Sequence, residues 1–102
     1  MAINELEKRS LKQALVECLR TEPEVRRIVV FGSFLRSDDP HDLDVAVFQD
    51  SAEDYLPLAL KYRRKTRMLA RRIVLDILPL KLGAQSDPFL AEVARGEVIY
   101  ER

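Results

Sequence analysis

Three short runs dominated by β-branched, aliphatic and aromatic side chains set the architecture of this chain: Arg27-Ile28-Val29-Val30-Phe31, Leu43-Asp44-Val45-Ala46-Val47-Phe48 and Ile73-Val74-Leu75-Asp76-Ile77-Leu78. Each has the length and composition of a strand; Gly32-Ser33 closes the first and Pro79 bounds the third. The segments around them keep a different period. Leu11, Ala14, Leu15, Cys18 and Leu19 recur at helical spacing behind an Asn4/Glu7 capping box and stop at Thr21-Glu22-Pro23. Ser51 and Asp54 can cap a second helix, on which Tyr55, Leu58, Ala59, Tyr62, Thr66 and Leu69 hold one face. Pro57 belongs in the first turn of such a helix, so its start is expected close to that residue. Phe34 to Ser37 has room for one helical turn, and Asp38 to His41 is a loop by composition. Near the end, Asp87-Pro88 can open a short helix through Val93 and Ala94, with Gly96 closing it before a terminal strand, Val98-Ile99-Tyr100. The alternation predicts a two-layer α+β (α/β) domain, a small mixed sheet of about four strands with helices packed on it, spanning residues 1–102.

Composition narrows the chemistry. With 102 residues the chain has material for one modest core, so a substrate is expected to meet an open surface. Its 17 basic and 17 acidic residues cancel, which argues against general capture of nucleic acid. One cysteine and one histidine exclude a disulfide framework within the chain and a closed Cys/His zinc site. The charged start, MAINELEKRS, is no secretory signal, and no apolar run approaches the ~20 residues of a membrane span, so a soluble, cytoplasmic protein is expected. Cys18 reads as core packing.

Against this background the acids in the strands need a reason. Asp42 and Asp44 flank Leu43 with period two, so their carboxylates leave the same face roughly 6–7 Å apart. Asp76 sits within Ile-Val-Leu-Asp-Ile-Leu, where an unpaired charge would cost several kcal/mol. Taken singly, each has an ordinary alternative: Asp42 capping a turn, Asp44 at a wet strand end, Asp76 paired with Arg71 or Arg72. Taken together they read as oxygen ligands for hard cations, Mg²⁺ or Mn²⁺, which would also relieve their mutual repulsion. Gly32 and Ser33 end the first strand at a turn suited to holding phosphate, and Arg36 three residues on supplies a fixed positive charge. His41, beside Pro40 in a loop, reads as a solvated residue.

The sequence Phe31-Gly32-Ser33-Phe34-Leu35-Arg36, then Asp42-Leu43-Asp44-Val45-Ala46-Val47, then a hydrophobic strand with Asp76, resembles the nucleotidyltransferase superfamily of polymerase beta and kanamycin nucleotidyltransferase. It looks most like the smallest branch, the minimal nucleotidyltransferases. The stretch from Phe34 to His41 is shorter than the family's, Ser37 replaces its glycine after the arginine, and His41 its serine before Asp-x-Asp. The resemblance implies that Asp42, Asp44 and Asp76 bind two Mg²⁺ ions and carry catalysis, while Gly32, Ser33 and Arg36 bind the nucleotide triphosphate, expected to be ATP. It implies in-line attack of an acceptor hydroxyl on the α-phosphate, with pyrophosphate leaving.

Stand-alone relatives of this kind resemble antitoxins paired with HEPN-domain RNase toxins, some of which receive AMP on a tyrosine. The resemblance therefore implies a HEPN toxin as partner and acceptor. The alternatives are a catalytically weak or inactive binding module that neutralises a partner by complex formation, and transfer to a small molecule or nucleic-acid end. Lys61 to Arg72 carries seven basic residues and no acid, and reads mainly as a solvated face, with contact to an acidic partner or RNA as the minority reading. Tyr55 and Tyr62 read as core or partner contacts, and Leu82, Phe89 and Leu90 as core or interface. A core this small makes a partner or self-association plausible.

Overall fold

The computed structural model describes residues 3–83 and 90–102. In chain order the elements are α1 (Glu5–Leu19), β1 (Val25–Phe31), a 3-10 turn (Gly32–Leu35), β2 (Asp42–Gln49), α2 (Tyr55–Lys65), a second 3-10 turn (Leu69–Arg71), β3 (Val74–Lys81), α3 (Leu90–Ala94) and β4 (Glu97–Glu101). The four strands form one mixed sheet in the order β3-β2-β1-β4. β1 runs antiparallel to both β2 and β4, whereas β2 and β3 are parallel, with α2 in the connection between them. The expected α+β fold is what forms.

Period-two alternation divides the sheet's side chains between two faces. Ile28, Val30, Leu43, Val45, Val47 and Ile77 meet Leu11, Leu15 and Leu19 of α1 and Leu58 and Tyr62 of α2 in the main core. Val29, Phe31, Ala46, Phe48 and Leu80 face the other way and pack on Val93 of α3 in a smaller cluster. β2 is thus buried on both sides of its inner half, and Asp42 and Asp44 occupy its first turns of pleat, where the small cluster ends.

Local chemistry explains where the elements begin. The Asn4 side chain accepts the Glu7 N–H at 2.8 Å, the expected cap of α1. At α2, Asp54 stands in the capping position but its side chain makes no capping bond. Ser51 instead donates its hydroxyl to the buried Gln49 side chain at 2.6 Å. Pro57 falls in the first turn of α2, as expected. Tyr55 departs from expectation, being exposed at the helix start rather than on its buried face.

Pro79 does not bound β3. It lies inside the strand, opposite Val47, and the strand continues to Lys81. The reason is that β3 is an edge of the sheet, where one side of the backbone has no ladder partner among the described residues and a residue without an N–H is tolerated. Gly96 does follow α3 as expected, and a Cβ there would meet the Val30 carbonyl oxygen at 2.5 Å, so it is close packing against β1 that requires glycine. The expected opening of this helix at Asp87-Pro88, and Phe89, lie outside the described residues.

Candidate active site

Strand register assembles the carboxylates. Phe31, Asp44 and Asp76 are direct partners across β1, β2 and β3, so they form one row, and Asp42 lies one pleat away on β2. All three acids leave the sheet on the face away from α1 and α2. Asp44 is half-buried, while Asp42 and Asp76 are exposed. The desolvation expected for Asp76 therefore does not occur: Ile73 and Ile77 point into the main core, and Asp76, alternating with them, points outward. Asp44 bears the strain instead. Burial raises its pKa above the ordinary value, and the charges of Asp76, Asp42 and Glu92 push it further in the same direction.

Gly32 turns the chain from β1 into the 3-10 turn with a left-handed backbone, φ 80°. A Cβ on Gly32 would stand 2.6 Å from Asp44 Oδ2, so the residue is glycine for two independent reasons. Ser33 and Arg36 follow on the same turn, both exposed, and the Ser33 carbonyl accepts the N–H groups of Arg36 at 3.1 Å and Ser37 at 2.8 Å. Beside the row of acids lies an open cavity of about 300 Å³, lined by Phe31, Asp44, Tyr55, Asp76, Ile77, Leu78 and Glu92. Gly32, Ser33, Arg36 and Asp42 do not line it. The structure therefore brings Asp42, Asp44 and Asp76 into one electrostatic group with Gly32 against Asp44, while Ser33 and Arg36 sit on the neighbouring turn.

The donor set has the chemistry of a hard-cation site. Its atoms are all carboxylate oxygens, the chemistry that Mg²⁺ and Mn²⁺ take, and the pKa of Asp44 is raised first by burial and then by neighbouring carboxylates, a repulsion that a cation would relieve. Among the described residues, no three His, Cys, Asp or Glu side chains are drawn together closely enough to hold an ion as they stand. Asp42, Asp44 and Asp76 fit in chemistry and in strand position, and a cation would have to draw their carboxylates inward.

Three residues near the site were not expected to belong to it, Tyr55 having read as a core or partner contact. Glu92 of α3 adds a fourth acid. Tyr55 supplies an aromatic wall to the cavity. Lys8 of α1 is buried at 6% exposure; its ammonium donates to the Ser37 carbonyl at 2.7 Å and stands 5.6 Å from the centre of the Phe34 ring. It thereby ties the exit of the Gly32–Leu35 turn to the first helix. The signal was present: Lys8, Leu11, Leu15 and Leu19 share one helical stripe, and a base on an apolar stripe calls for a partner. His41 is exposed, as expected of a solvated loop residue.

The profile of the family "Polymerase beta, Nucleotidyltransferase" matches residues 13–102. The chain belongs to this nucleotidyltransferase family. No curated protein matches its sequence significantly. Among solved structures, the nucleotidyltransferase fold seen here is similar to one in the complex of the tri-AMPylated Shewanella oneidensis HEPN toxin with its MNT antitoxin. The TM-score is 0.63 at 20% identity, covering 93% of this chain and 73% of that one. It is similarly close to the MntA–HepT toxin–antitoxin structure, with TM-score 0.60, 19% identity and coverage of 92% and 73%. A toxin–antitoxin structure with AMP-PNP gives TM-score 0.63 at 20% identity over 89% and 73%. At these identities the likeness establishes the shared fold. No helix among the described residues is long and apolar enough to cross a membrane.

Proposed function

We propose that this nucleotidyltransferase transfers AMP from ATP to a tyrosine hydroxyl of a HEPN-domain toxin, with Mg²⁺, and so acts as its antitoxin. The observation that carries the reading is the register pair Asp44–Asp76 with Asp42 on the same face, set against the left-handed Gly32. The similarity to complexes of MNT antitoxin with AMPylated HEPN toxin, and to a toxin–antitoxin structure with AMP-PNP, supports the partner and the nucleotide.

In this reading Asp42, Asp44 and Asp76 would hold Mg²⁺, which when bound would neutralise charge on the triphosphate and lower the pKa of the acceptor hydroxyl. Gly32 allows the chain to approach the phosphates, the Ser33 hydroxyl and Arg36 guanidinium bind their oxygens, and Lys8 holds that turn in place. The tyrosine oxygen forms a bond to the α-phosphorus as the bond to the β-phosphate oxygen breaks, and pyrophosphate departs. Asp76, which lines the cavity together with Asp44, receives the phenolic proton.

Incubation with α-labelled ATP, Mg²⁺ and a HEPN-domain protein, sought first in the open reading frame next to this one, tests it. Label is expected on the toxin and is expected to vanish with Asp42→Asn or Asp44→Asn. A tight complex that inhibits the toxin without label, unaffected by either substitution, would identify a binding module instead. Label on a small molecule or RNA end with no toxin present would identify a different acceptor.

A further inference from the structure

A second concave surface lies away from the carboxylates and shares no residue with their cavity. It is a groove of about 400 Å³ between α1 and the Leu69–Arg71 turn, lined by Ala14, Cys18, Met68, Leu69, Arg71 and Arg72. Its apolar part is uncovered: Met68 is 68% exposed, a large value for a thioether that packs readily elsewhere. Its charged part is all basic.

The basic stretch next to this groove divides in two. Lys61 pairs with Glu24 at 2.8 Å and Lys65 with Glu22 at 3.2 Å, so these two bases are used inside the fold. Arg63, Arg64, Arg67 and Arg71 make no ion pair among the described residues, and Arg72 reaches only the Ser10 hydroxyl there, at 3.4 Å. Glu17, the acid beside Cys18, is itself paired with Arg20 at 3.4 Å. What remains is an apolar trough with guanidinium groups along one wall.

We propose that this groove docks an amphipathic helix of a protein partner, with apolar side chains on Met68 and Cys18 and carboxylates facing Arg71 and Arg72. Charge complementarity selects the acids, and the floor selects hydrocarbon. RNA is disfavoured because no aromatic residue lines the groove for base stacking. A bilayer is disfavoured because a trough between a helix and a turn cannot lie flat on it. The inference deepens the proposed function and rests on it only in taking the partner to be a protein; nucleotide transfer plays no part.

The test uses a stapled helical peptide carrying leucines four apart and flanking glutamates, with two controls in which lysine replaces glutamate or serine replaces leucine. The ¹³C-methyl resonance of Met68, assigned with Met68→Leu, reports occupancy. The Glu/Leu peptide is expected to shift it, each control to bind about tenfold more weakly, and Met68→Glu or Arg71→Glu to weaken binding by a similar factor. Both positions are exposed, and circular dichroism verifies folding of each variant. Binding indifferent to these substitutions, equal affinity for the lysine peptide, or displacement by an RNA oligonucleotide would overturn the proposal. If the peptide binds the groove while the HEPN protein forms no complex, the groove stands and the proposed toxin partnership fails.

Discussion

Replacing Gly32 by alanine separates what glycine does for the backbone from what it does for Asp44, because the chain contains a control. Gly32 and Gly83 have almost the same left-handed conformation, φ 80° and 84°. An L-residue there costs roughly 1–2 kcal/mol, partly offset by the ~0.4–1 kcal/mol that alanine gains by restricting the unfolded chain. Both substitutions are therefore expected to destabilise by about 1 kcal/mol in urea denaturation. They differ in their surroundings. A Cβ at position 83 meets nothing within 4 Å, whereas at position 32 it meets Asp44 Oδ2 at 2.6 Å but Asp44 Cγ only at 3.6 Å.

The clash is thus confined to the tip of a short side chain, which can swing away at little cost in stability. Restoring an ordinary 3.4 Å contact moves that oxygen by about 0.8 Å. Displacements near 1 Å at a reacting centre cost about 100-fold in rate. Gly32→Ala should therefore lose about 100-fold in AMP transfer and weaken Mn²⁺ binding, while Gly83→Ala leaves both near the parent. Equal transfer by the two variants, at equal loss of stability, would refute the idea that Gly32 sets the position of Asp44.

Asp44→Asn should stabilise the metal-free protein at neutral pH. Its folded pKa is raised by burial and by Asp76, Asp42 and Glu92, so ionisation opposes folding; the penalty is absent below the ordinary value of 3.8, grows as pH rises from there and is complete above the folded value. Denaturation at pH 7 and again below 3.8 measures this, and a gain that persists in acid would contradict it. Lys8→Met keeps the aliphatic stem and removes the ammonium from Ser37 and Phe34; a loss of about 2 kcal/mol in denaturation is expected, together with a raised KM for ATP. Tyr62→Phe removes the hydroxyl donated to Glu24 at 3.0 Å and should cost about 1 kcal/mol at pH 7. Burial opposes ionisation of Glu24, but Lys61 and Tyr62 outweigh it and lower its pKa, so that cost should shrink as pH falls below 4.5.

What could be read from the string was whatever depends on neighbours in sequence. The cap at Asn4, the helical stripes, the strand runs and the common face of Asp42 and Asp44 each follow from spacing of a few residues. What could not be read depends on position within the sheet. Pro79 looked like a stop because the string does not say that β3 is an edge. Asp76 looked buried because a strand of hydrocarbon residues does not reveal that the face carrying it is exposed at the start of the strand. Glu92 and Lys8 join the site through packing of α3 and α1, contacts remote in sequence.

The same topology explains why the acids can be tolerated at all. A central strand flanked by an antiparallel and a parallel neighbour must bury both faces along most of its length. β2 does so with Leu43, Val45 and Val47 on one face and Ala46 and Phe48 on the other. Among the described residues, only α3 packs on the small face, at Val93, and Asp42 and Asp76 at the start of their strands are exposed. Polar residues there cost little hydration, while the other face, fixed by the main core, holds the backbone beneath them rigid. Asp44 sits at that boundary, buried enough for its pKa to rise and open enough to border a cavity. Full burial of the row would make the acids prohibitively unfavourable, whereas a more exposed row would relax the repulsion that, in the proposed function, a cation relieves.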